Sequence, residues 1–120
     1  MNDQNTKFKT VRFRRKDFEI FKRYKVFVQK LPKTISNIED GKQVIRSSGS
    51  IGANYIEANE ALSKKDFIMR IMICRKEAKE TGYWLELLDV PEELESERKR
   101  LLQEATELRK IFGAILEKSK

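Results

Sequence analysis

An all-α fold, an antiparallel up-down four-helix bundle with a flexible basic N-terminal arm, is what this sequence predicts, on three observations. Apolar residues return at three- and four-residue spacing in four separate segments, the period of a single buried helix face. Charged residues make up 38% of the 120, with only 5 Gly and 2 Pro, a composition suited to solvated helices. Helix start and stop signals fall between the periodic segments, and no stretch alternates with period two for long enough to make a strand.

Residues 1–15 read as the arm and residues 16–120 as the bundle domain. In the arm, Phe8, Val11 and Phe13 alternate only loosely with charge and nothing caps a helix. The first helix is expected from about Lys16 to Lys30, where Phe18, Phe21, Tyr24 and Val28 share a face. Leu31-Pro32 ends it, because the residue before proline avoids helical angles. The second helix is expected from a capping box, Ser36-Asn37-Ile38-Glu39, to about Leu62. Its centre, Ser47 to Ala53, holds three serines and two glycines, each Gly costing about 1 kcal/mol against Ala in a helix. A helix there requires tertiary packing, and small side chains allow a neighbouring helix to approach closely.

The third helix is expected to start at Ser63, with Asp66 three residues on, and to run to about Leu88. Its stripe is Phe67, Ile71, Cys74, Ala78, Thr81, Leu85 and Leu88. Asp89-Val90-Pro91 breaks the pattern, and the fourth helix is expected there or a few residues later, extending to about Lys118. Leu94, Leu101, Ala105, Leu108, Phe112 and Ile115 form its stripe. Four such helices joined by short connections pack as antiparallel neighbours.

The chain contains no histidine, which removes the commonest general base and the commonest metal ligand. No nucleophile–base–orienter set can be assembled, so no catalytic residue, cofactor, metal or small-molecule substrate is expected. The lone Cys74 cannot form an internal disulfide and fits a reducing, cytoplasmic setting. No run approaches the roughly 20 apolar residues that span a bilayer, and the basic N-terminus lacks the apolar core of a secretory signal.

The net charge of +7 is unevenly placed. Residues 1–33 hold eleven Lys/Arg against three acids, whereas the other 87 residues hold 15 against 16. A local field of that kind attracts polyanions. Arg12, Arg14, Arg15 and Lys16 lie together, interleaved with Phe8, Phe13 and Phe18, and Lys22, Arg23 and Lys25 extend the charge along the first helix. Cations neutralise phosphates and aromatics stack on unpaired bases, so these seven residues are the candidate nucleic-acid contacts. The competing reading is a basic tail that is merely solvated.

On the second helix Gln43, Ser47, Ser50, Asn54 and Glu57 recur at spacings of 4, 3, 4 and 3 beside an apolar stripe. Buried polar groups at such spacing need hydrogen-bond partners and can specify helix pairing or oligomer assembly. A solvated face is the alternative. Glu77 and Glu80 sit among Arg75, Lys76 and Lys79, which favours ion pairs at helical spacing over chemistry. Tyr83-Trp84 reads as core or subunit contact, and Cys74 as a buried thiol.

The run from Gln43 to Ala58, followed by Ser63-Lys64-Lys65-Asp66-Phe67, resembles the signature of the four-helix bundle proteins known as 23S rRNA intervening-sequence proteins. The likeness continues through Glu77 to Thr81, Trp84-Leu85 and Leu102 to Leu108, covering nearly the whole chain from about residue 16. Many members carry proline where this chain has Gly52. The resemblance implies an antiparallel bundle assembled as a homo-oligomeric ring, typically a pentamer, of bacterial origin. Family members are encoded in insertions in 23S rRNA genes or elsewhere in bacterial genomes, and relatives accompany diversity-generating retroelement reverse transcriptases. There are no family catalytic residues to carry over. The expected function is therefore non-enzymatic binding of structured RNA or a ribonucleoprotein through the basic N-terminal surface. The alternative is an oligomeric protein-interaction scaffold without nucleic-acid contact.

Overall fold

The computed structural model describes residues 18–120. The expectations for the arm, with Arg12, Arg14 and Arg15, and for Lys16 at the start of the first helix, fall outside those residues. Within them the chain forms α1 (Glu19–Gln29), α2 (Ile35–Asn59), α3 (Lys64–Leu87) and α4 (Glu95–Lys118), with a 3₁₀ turn at Glu92–Leu94 before α4. These are four antiparallel helices in an all-α bundle with no strand among the described residues. The most extensive contact is between α2 and α3, then α3 and α4; α1 lies on α2 and touches α4 more lightly.

The ends of the helices follow local chemistry, with two departures from expectation. Ser63 caps α3 as expected, its backbone extended and its hydroxyl accepting from the Asp66 amide at 3.1 Å. At α2 the cap is Thr34 rather than Ser36: Thr34 is extended and its hydroxyl accepts from the Asn37 amide at 3.1 Å. Ser36 is already inside the helix, and its hydroxyl donates to Asp89 Oδ2 at 3.1 Å. The extended backbone at Thr34 thus places the cap two residues early. The second departure is at the other end, where α2 stops at Asn59 instead of Leu62. Ala61 then turns inward while Leu62 is left exposed.

Asn37, buried at 4% exposure, joins the two connections at one end of the bundle. Its amide donates to Pro32 O (3.1 Å) and Asp89 O (3.0 Å), and its carbonyl accepts from the Asp89 amide at 2.9 Å. Every polar atom of the side chain is thereby satisfied, which makes the burial affordable.

The expected stripes of α3 and α4 are buried, apart from Leu94, which is only partly covered in the 3₁₀ turn. Two apolar clusters result. Ile51, Tyr55, Phe67, Ile71, Phe112 and Ile115 anchor one, where α2, α3 and α4 meet. Tyr24, Phe27, Leu31, Val44, Leu85 and Leu101 anchor the other, where α1 adds its face. The small residues of α2 serve both: Ser47, Ser48 and Gly52 are buried, and Gly49 faces outward.

Two glycines of α2 let α1 lie directly on its backbone. A Cβ at Gly52 would stand 3.1 Å from the Phe21 ring, and one at Gly41 only 2.7 Å from Val28 Cγ1. At Gly49 a Cβ would meet nothing within 4 Å. Gly49→Ala should accordingly stabilise the fold by about 1 kcal/mol through helix propensity. Gly41→Ala gains the same propensity but overpacks a short, stiff valine at about 1–3 kcal/mol, so it should be destabilising overall. Urea unfolding of the two variants should move the midpoint in opposite directions.

Candidate functional site

The polar stripe of α2 lies along its contact with α3. Ser47, fully buried, donates to Gln43 O at 2.7 Å and stands 2.8 Å from Thr81 Oγ1 of α3. The single Thr81 proton serves either Ser47 Oγ or Glu77 O, each 2.8 Å away. Two turns on, Asn54 donates to Ser50 Oγ at 3.1 Å and to Ser50 O at 2.9 Å, and accepts from Arg70 of α3 at 3.1 Å. Gln43 Oε1 accepts from Arg46 Nε at 2.9 Å. Glu57, the last of the stripe, lies exposed.

Arg46 is the fork of this seam. Its guanidinium donates to Glu77 Oε2 at 3.0 Å and to Glu80 Oε1 at 3.3 Å, binding two carboxylates one helical turn apart on α3. The Glu77 side chain is 5% exposed, and Lys76 lies 3.7 Å from it. The expected partners of these two acids were cations within α3; the principal one instead reaches across from α2. Spacing rules register only neighbours on the same helix, so a contact over 31 residues escapes them.

The cations of α1 divide into two sets. Arg23 pairs with Glu104 and Lys30 with Glu97, both at 3.1 Å. The pairs are seven residues apart on each helix and clasp α1 to α4 in antiparallel register. Between them the Tyr24 hydroxyl donates to Leu101 O at 3.3 Å. Burial raises the Tyr24 phenol well above its usual pKa, helped by nearby Glu104 and opposed by Arg23. Lys22 and Lys25 share the outward side of α1, are exposed, and form no ion pair among the described residues. Of the seven candidate contacts, Lys22 and Lys25 are thus unpaired among the described residues, Arg23 is tied to a carboxylate, and the other four lie outside those residues.

A second cationic surface, missed in the sequence, runs along α3 and α4. Lys76 and Lys79 face Lys99 and Arg109 across an open groove, with Arg75 at its edge. These residues come from the part of the chain whose charges cancel in a count. The available signal was the recurrence Met69, Met72, Lys76, Lys79, Tyr83 on α3, which keeps one unburied face at three- and four-residue spacing.

No group of three or more His, Cys, Asp or Glu that could hold a metal occurs among the described residues. The Cys74 thiol lies buried against Ile51 O at 3.5 Å, and burial pushes its pKa up to about 12, so at neutral pH it carries no nucleophilic thiolate. No described helix is long and apolar enough to cross a membrane.

A polar seam between α2 and α3, with lysines and arginines on the outer faces of α1, α3 and α4, defines a helical-bundle protein. The chain belongs to the 23S rRNA-intervening sequence protein family, whose sequence profile matches residues 10–114. A solved structure from Bacteroides thetaiotaomicron VPI-5482, described as a protein of unknown function from the S23 ribosomal protein family, is 36% identical. The likeness covers 82% of this chain and 88% of that one, with a TM-score of 0.61. Among curated proteins none matches the chain.

The seam carries a direct expectation. Arg46→Ala leaves the Glu77 carboxylate buried without its main partner; with the guanidinium half exposed, the loss should be about 2 kcal/mol, below that of a fully buried pair. Arg46→Lys should recover only part of it, because a single ammonium cannot fork between both carboxylates. Chemical unfolding monitored by circular dichroism measures both.

Proposed function

We propose that the protein is a non-enzymatic, homo-oligomeric bundle that binds structured RNA, or a ribonucleoprotein, through the outer face of α1 and the basic segment preceding it. The observation that carries this reading is the pair Lys22 and Lys25, exposed cations on one side of α1 without carboxylate partners among the described residues. They continue in sequence from Arg12, Arg14, Arg15 and Lys16. Membership of a family described as 23S rRNA-intervening sequence proteins supports an RNA-related setting. The mechanism is capture of phosphates with release of counterions, and it involves no bond making or breaking. The cytoplasm is the compartment this role implies.

Self-assembly is supported by the outward face of α2. Ile38, Ile45 and Ile56 are 43%, 37% and 52% exposed and lie along one side with Gly49 and Ala53. An aliphatic stripe of that kind marks a contact surface. A ring, a pentamer by family resemblance, would repeat the α1 cations about an axis and raise avidity without a strong single site. The same stripe also favours the second reading, a scaffold that gathers proteins and touches no nucleic acid.

Salt dependence separates the two. Affinity for a fluorescent rRNA stem-loop should fall steeply between about 50 and 200 mM salt. Lys22→Ala/Lys25→Ala should flatten the log–log slope by about 1–2. RNA binding that is undetectable even at low salt leaves the scaffold alone. For assembly, light scattering should give a mass several times the 14.2 kDa of one chain. Ile45→Asp should lower that mass while helix content stays unchanged, and a strict wild-type monomer at micromolar concentration contradicts the ring.

A further inference from the structure

We propose that the groove between α3 and α4 is a docking site for an acidic amphipathic helix of a partner protein. The groove consists of two adjoining depressions of about 450 and 750 Å³ that share Lys79 and Arg109 as walls and are lined by α3 and α4 alone. From Met69 to Tyr83 the open stripe of α3 extends for about 21 Å at 1.5 Å per residue. That length accommodates some four turns of a helix lying between the two.

The chemistry of the lining selects the occupant. Met69, Met72 and Tyr83 are 48%, 52% and 57% exposed, large apolar surfaces that the bundle itself does not cover. The floor beside Met72 is left open by Gly113, where a Cβ would meet nothing within 4 Å. Methionine adapts its shape to a docked apolar face, and lysine and arginine stems add apolar surface beneath their charges. Arg75, Lys79, Lys99 and Arg109 form no ion pair among the described residues. Glu86 is the lone carboxylate in the lining of either depression. An apolar floor between cationic walls complements a helix whose apolar stripe is flanked by glutamates or aspartates. A phosphate backbone would use the cations but leave the methionine end unmatched, so the helix is the better fit. This site shares no residue with the α1 surface and stands or falls separately from it.

The test uses the full chain and a fluorescein-labelled synthetic helix of about 18 residues, long enough to span the groove at about 1.5 Å per residue. The peptide has a leucine stripe flanked by glutamates, and its control carries lysine in place of every glutamate. Fluorescence anisotropy should show binding of the glutamate peptide and none of the control. Lys79→Glu/Arg109→Glu and, separately, Met72→Glu should each weaken binding by about tenfold or more, whereas Lys22→Glu/Lys25→Glu should leave it unchanged. Circular dichroism confirms that each variant keeps its helix content. Equal binding of both peptides, or an unchanged affinity in Lys79→Glu/Arg109→Glu, would overturn the proposal. So would a lower assembly mass for that variant, which would assign the groove to contact between copies. Loss of RNA binding in that variant, with no peptide binding by the wild type, would assign the cations to phosphates instead.

Discussion

Side chains along the α2–α3 seam can satisfy one another in one antiparallel register. Ser47 must meet Thr81, Asn54 must meet Arg70, and Arg46 must reach both Glu77 and Glu80. A shift by one turn would take Arg46 from the buried Glu77 carboxylate and Arg70 from the Asn54 carbonyl, each at about 1–3 kcal/mol, while the Ser47 and Thr81 hydroxyls would keep their bonds to Gln43 O and Glu77 O. The apolar stripes would tolerate such slippage far better, because dispersion and burial are nearly direction-free. The polar stripe therefore supplies specificity, and the surrounding core supplies most of the stability.

The remaining helices are placed by this pair. Gly41 and Gly52 open the other side of α2 to α1, and two ion pairs with Tyr24 between them hold α1 along α4. Exposed pairs of that type contribute at most about 1 kcal/mol each. Their structural consequence is larger than their energy, since they consume the inward-facing cations of α1 and leave Lys22 and Lys25 pointing out. On the opposite pairing, α3 and α4 bring together Arg75, Lys79, Lys99 and Arg109, which form no ion pair among the described residues. Among the described residues the packing thus leaves one set of unpaired cations on the outside of α1 and another over the α3–α4 groove.

Much of the fold was legible in the sequence because helical periodicity is a local signal. Phe67 to Leu88 and Leu101 to Ile115 could be read as buried stripes from spacing alone, and Ser63 as a cap from Asp66 three residues on. At the start of α2 the Ser-x-x-Glu spacing pointed to Ser36, whereas the backbone turns extended at Thr34, whose hydroxyl takes the Asn37 amide. The site was less legible. A count along the chain registers Arg75, Lys79, Lys99 and Arg109 as balanced by nearby acids, but helix faces sort neighbours onto opposite sides. Arg46 with Glu77, and Arg23 with Glu104, are contacts between helices that no residue spacing announces.

Site-resolved hydrogen exchange tests most directly whether the α2–α3 seam is what the rest of the fold depends on. Amides from Val44 to Tyr55 and from Ile71 to Thr81 should exchange only through global unfolding, with α1 opening at lower free energy. The account is contradicted if α1 or α4 stays protected while the amides along the seam exchange through local opening.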